Sequence, residues 1–224
     1  MTIIEPVRKD VDSPHRNKKN SGSLRFWHWA NVIIISGSLI TVLINSTLTN
    51  TRPTASLIKN KIEKAGATVT DNQAREAAHA LSDNVWAVHI YFGYCLAGML
   101  LFRLILEYFQ VADQRFIRKL KSAYAQFKTT KRNREIARHE FAVKTIYLLF
   151  YVLLIIMAVT GLSLAFEGIV FLKHFRHPIK SVHGFCMYLI LAFIAAHLVG
   201  VFLAERKDSK GIVSDMINGG YDKE

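Results

Sequence analysis

Four long apolar blocks interrupt an otherwise polar and basic chain, at about 26–48, 85–109, 141–166 and 181–204. Each reaches the roughly 20 residues that a helix needs to cross a hydrocarbon core of about 30 Å. No fifth block does. Apolar stretches this isolated cannot sit in lipid as open strands, because every backbone amide must find its partner within the segment. A barrel would instead show short alternating segments. The pattern therefore predicts an all-α, integral-membrane four-helix bundle, with an N-terminal segment 1–25, a membrane domain 26–204 and a tail 205–224.

The connection 49–84 is the longest between spans. Thr70 and Gln73 have capping-box spacing ahead of an alanine-rich run, 74–81, which predicts partial helix there. Two roles stay open for this segment: a lid over the outer face of the membrane, and a docking surface for an extracytoplasmic partner.

Half the residues are apolar, yet the formal net charge is +12. Charge is segregated between the blocks instead of dispersed over a surface, unlike a soluble domain. Six Lys or Arg precede the first span, nine separate spans two and three, and four follow span four, against five and three in the other two connections. By the positive-inside rule both termini are expected in the cytoplasm, the protein being multi-pass in a bacterial inner membrane. The basic run 115–138 then has its use at anionic lipid headgroups, and no nucleic acid is implied. The polar start carries no short apolar stretch with a small-residue cleavage site, so a cleaved signal peptide is not expected. Cys95 and Cys186 lie in spans without CxxC spacing, which argues against thiolate metal sites and iron–sulfur clusters.

Of nine histidines, His28, His89, His183 and His197 fall inside spans, where ionisable side chains are rare and usually functional. His183 and His197 are 14 residues apart, so a helix places them on nearly one face and about 21 Å apart along its axis. One metal ion, with bonds of about 2 Å, cannot bridge that gap. Depth pairs His28 with His197 on the cytoplasmic side and His89 with His183 on the outer side. Two bis-imidazole sites stacked along the membrane normal suit two haem groups, whereas zinc would want further protein ligands at each level. His15, His79, His139, His174 and His177 are expected to be solvated, with proton exchange an open alternative for the last two.

A flat macrocycle between helices needs room and counter-charges. Gly93 follows His89 by four residues and Gly200 follows His197 by three, so each shares its histidine's face, and Gly161 and Gly184 supply further gaps. Close helix packing is the other reading of these glycines. Gly37 and Gly98 turn to roughly the opposite face from their histidines. Arg25, three residues before His28, and Arg103, 14 after His89, are candidates to pair haem propionates. Arg103 has snorkelling to the headgroups as its alternative. Trp27, Trp29, Trp86, Tyr91 and Tyr94 fit interfacial belts.

The stretches Leu24-Arg-Phe-Trp-His-Trp29, Trp86-Ala-Val-His-Ile90, Phe102-Arg-Leu104 and Val159-Thr-Gly-Leu162, with the late pair His183 and His197, resemble the bacterial di-haem cytochrome b family. The pattern is most similar to the cytochrome b subunit of nickel-iron hydrogenases, including the tail from Ile212 to Tyr221. The resemblance implies two haem b held by the four histidines and a quinone site near one of them. It also implies a redox partner outside the cytoplasm, such as a hydrogenase-like or other dehydrogenase subunit, with oligomers possible. The expected function is electron relay between that partner and the quinone pool. Bis-histidine ligation leaves iron no open position, so outer-sphere transfer is the expected chemistry. Two rivals stand beside it. One is a stand-alone oxidoreductase that uses superoxide or a small reductant to reduce quinone. The other is a haem-free anchor or assembly factor.

Overall fold

The structure, a computed structural model, describes residues 21–109, 124–125, 134–166, 174–206 and 211–220. Among them are six helices and no strand: α1 (Gly22–Thr47), α2 (Thr51–Lys64), α3 (Asp71–Phe109), α4 (Arg134–Ala165), α5 (Arg176–Arg206) and α6 (Ile212–Asn218). Helices α1, α3, α4 and α5 are long and apolar enough to cross a membrane. Ile33, Leu43, Leu149, Leu198 and many other large apolar side chains on them are exposed. Lipid is the natural solvent for such faces, since tails are as apolar as leucine. The four expected apolar helices are present, and little of the connection 49–84 is irregular: α2 fills its first half and α3 begins at Asp71.

Local chemistry sets these boundaries. Thr70 and Gln73 form the capping box at the start of α3, the Gln73 amide donating to Thr70 Oγ1 (3.3 Å) and the Thr70 amide to Gln73 Oε1 (2.9 Å). Pro53 and Pro178 sit in the first turns of α2 and α5, where a missing amide hydrogen costs no helical bond. Lys61 and Lys64 oppose the negative end of the α2 macrodipole. Gly66, at φ +85°, then turns the chain in a conformation that side chains rarely adopt.

The chain divides into two compact units, residues 30–98 and residues 1–29 with 99–224. In the first, α1 and α3 run antiparallel: Gly37 lies against the Phe92 ring, Thr41 meets His89, and Asn45 accepts from Ser82 Oγ (3.2 Å). Ala55 of α2 packs with Ala74 and Ala78 of α3, joined by Ile58. Small side chains let these two helices approach closely. Lys59 bonds Asp71 at 2.6 Å across the same seam.

In the second unit α4 packs on α5, again antiparallel. Phe150 stacks on Phe193 with ring centroids 4.4 Å apart. Ten residues along α4, Thr160 meets His183, ten residues back on α5. Leu154 (0% exposed) and Ala158 of α4, with Cys186 and Ile190 of α5, are the buried apolar residues of these two helices among the described side chains. Trp27 is also buried; its ring stacks on Tyr151 (5.6 Å) and its indole N–H donates to the Met99 carbonyl (3.1 Å). Helix α6 folds back on α1. Arg25 donates to the Ile217 carbonyl (2.5 Å) and Trp29 to that of Met216 (3.1 Å). The Glu205 carboxylate accepts the amides of Gly211 and Val213 at the start of α6.

Candidate haem sites

His28, in the second turn of α1, and His197, late in α5, face each other with ring centroids 6.2 Å apart and planes at 60°. Two metal–imidazole bonds of about 2 Å plus two half-rings span roughly this separation. The aromatic surroundings orient the rings. Phe193, one turn before His197, lies parallel to it at 6.0 Å, and Trp29 meets His28 edge-on at 5.4 Å. Neither imidazole has a hydrogen-bond partner among the described residues.

His89 and His183 belong to different units, and each has a hydroxyl against its Nδ1. His89 Nδ1 is 2.9 Å from Thr41 Oγ1 and 3.3 Å from Ser38 Oγ. Thr41 donates its own hydroxyl hydrogen to the Ser38 carbonyl at 2.6 Å. His183 Nδ1 is 2.8 Å from Thr160 Oγ1, whose hydrogen goes to the Ile156 carbonyl at 2.6 Å. A hydroxyl has one hydrogen to give. With that hydrogen committed to a carbonyl, each threonine accepts from the imidazole, so Nδ1 carries the proton. The Ser38 carbonyl, 3.4 Å from His89 Nδ1, can only accept and assigns the same tautomer. Nε2 of both rings is thereby left as the lone-pair nitrogen, the state a metal-bound histidine requires.

The remaining residues divide. Gly93 and Gly200 have open space where a Cβ would stand, whereas Gly161 backs directly onto His183, its Cβ position 3.2 Å from Cε1. Arg103 finds partners within the chain, its Nε donating to Tyr151 Oη (3.0 Å) and its Nη2 lying 3.6 Å from the Glu107 carboxylate. The charge that in sequence invites a propionate is thus already compensated by protein groups. Arg25 also binds protein through Nη1, but its buried Nε has no acceptor among the described residues, and the same holds for Asn45 Nδ2. Buried donors without acceptors are costly, and an anionic group such as a propionate would satisfy them. Among the described residues no three His, Cys, Asp or Glu gather as a metal site. The facing rings of His28 and His197, the Nε2 lone pairs assigned to His89 and His183, the open space at Gly93 and Gly200 and the buried donors are each compatible with haem, which brings its own four equatorial nitrogens. His139 keeps its side chain, and His15 its whole residue, outside the described set.

Sequence reasoning passed over Thr41, Thr160, Asn45 and Tyr151. A signal was present for two of them. Asn31, Ser38, Thr41 and Asn45 recur at steps of seven, three and four along the apolar α1, a polar stripe on one helical face, with Asn31, Thr41 and Asn45 buried.

No curated protein and no solved structure matches the chain. The family model for prokaryotic cytochrome b561 matches residues 20–219, taking in all four long apolar helices with His28, His89, His183 and His197. The chain belongs to the prokaryotic cytochrome b561 family: it is a multi-pass membrane cytochrome b, a haem-binding protein of electron transport.

Proposed function

We propose that this cytochrome holds two haem b groups, one between His28 and His197 and one between His89 and His183, and relays electrons between an extracytoplasmic redox protein and membrane quinone. The observation that carries the reading is the approach of His28 to His197 from two different helices at single-metal spacing. The 14-residue interval on one continuous helix adds that His183 lies about 21 Å from His197 along α5. The two sites then sit at two depths of the bilayer, both termini being cytoplasmic by the distribution of Lys and Arg.

When bound, haem supplies reversible one-electron chemistry at iron. The chain's residues hold it, order it and keep other reactions out. His28 with His197, and His89 with His183, would hold the two groups and leave the iron no position open to oxygen or substrate. The threonine hydroxyls fix Nε2 as the binding atom of His89 and His183. Arg25 and Asn45 offer buried N–H donors to acidic edges, and Gly93 and Gly200 leave open space on the helices that carry His89 and His197.

Reduced-minus-oxidised spectra and a haem-to-protein ratio on the detergent-purified chain test the reading. Two haem b per chain are expected, together with quinone-dependent reoxidation of the reduced protein. One haem or none would overturn it.

A further inference from the structure

The two hydroxyl contacts have the same construction although they are built from different helices. Thr41 and Thr160 each accept from an imidazole Nδ1–H and each pass their own hydrogen to a carbonyl of their own helix, over 2.6 Å in both cases. In such a chain each bond polarises the next, so the hydroxyl is a better acceptor than a free one. A hydrogen bond donated from Nδ1 raises the electron density and basicity of the opposite nitrogen. A more basic axial ligand favours ferric over ferrous iron, which carries one positive charge fewer.

His28 and His197 offer the contrast. Their neighbours are the apolar rings of Trp29 and Phe193, and among the described residues no oxygen accepts from either. Nothing comparable enriches those rings.

We propose that Thr41 and Thr160 are positioning residues that lower the reduction potential of the haem held by His89 and His183, making it the harder of the two to reduce. The proposal rests on the two-haem reading above. Its consequence is a direction. One electron taken from a reduced partner protein at the outer site moves downhill to the His28–His197 site, with no bond made or broken in the chain.

The test is a spectroelectrochemical titration of the full-length holoprotein, after a haem count that settles the two-haem reading independently. Two separate midpoints are expected in the parent protein. Thr41→Val and Thr160→Val should each raise the lower midpoint, by the equivalent of about a tenfold change in the ferric/ferrous ratio, or about 59 mV for one electron. The upper midpoint should stay in place. Thr41→Ser and Thr160→Ser, which keep the hydroxyl, should restore the parent value, an outcome that a mere packing role for the threonine would not give. If a valine variant sheds haem, His197→Ala decides: its single remaining haem should titrate at the lower parent midpoint. Two full haems with coincident midpoints, a lower midpoint indifferent to valine, or a remaining haem at the upper midpoint would overturn the proposal while leaving the two-haem reading intact.

Discussion

The four histidines within the apolar blocks are held by two different means. His28 and His197 are oriented by ring packing against Trp29 and Phe193, and their tautomers are free. His89 and His183 lean on hydroxyls, which fix both the ring orientation and the position of the proton. Ring contacts add only about 0.5–1.5 kcal/mol beyond burial and tolerate sliding, whereas a buried donor that loses its acceptor costs about 1–3 kcal/mol. The first arrangement can adapt to what it binds. The second is set in advance.

The strongest way to break this comparison is to remove one histidine of each proposed haem site. His28→Ala and His89→Ala should each lower the haem content from two to one per chain, measured as haem per protein after purification. The surviving haem should differ between the two variants in midpoint potential. Loss of both haems from either variant would mean that the sites do not load independently.

A finer probe presses on the preset ring. In Gly161→Ala the new methyl would stand 3.2 Å from His183 Cε1, so the imidazole must give by a few tenths of an ångström. Its hydroxyl bond to Thr160, the very next residue, resists that shift. Haem retention at the proposed His183 site should fall about tenfold, in the lower part of the range for disturbed supporting contacts, seen as faster haem transfer to apomyoglobin. Gly98→Ala, with open space at its Cβ position, is the control and should match the parent.

Weaker still is the effect of crowding α1 against α3 at Gly37. Gly37 packs directly against the Phe92 ring, so Gly37→Ala overpacks the contact and should lower stability by about 1–3 kcal/mol. Thermal loss of the haem spectrum in detergent reads this.

What the sequence disclosed follows from what the bilayer demands. The spans were legible because hydrocarbon imposes a length and forbids charge, so that composition alone outlines α1, α3, α4 and α5. Helix α2 was less legible. It is polar, and its helicity comes from a seam of Ala55 against Ala74 and Ala78 that no local pattern announces. Arg103 shows the limit of reasoning along one helix. Glu107, four residues on, could be read from spacing, but Tyr151 arrives from α4, and only the folded chain reveals that the guanidinium has protein partners. For Thr160 the letters Val-Thr-Gly-Leu fit the family pattern without assigning the hydroxyl a task. That task depends on which residue of α5 stands opposite.

The smallest effect belongs to the pair that ties α2 to α3 outside the membrane. Lys59 bonds Asp71 at 2.6 Å and lies 4.0 Å from Glu63, and this hydrogen bond, with the carboxylate charge behind it, holds the Lys59 ammonium above its ordinary range. A raised lysine stabilises the folded state while it is charged, so its contribution is present in full at neutral pH and disappears as pH rises through the raised value. Exposed pairs of this kind are screened by salt and weak. Lys59→Ala should therefore lower the thermal midpoint slightly at pH 7 in dilute buffer, and the difference from the parent should vanish in 1 M salt. A loss that persisted in high salt would instead assign Lys59 a packing role, through its methylene stem, at the alanine seam.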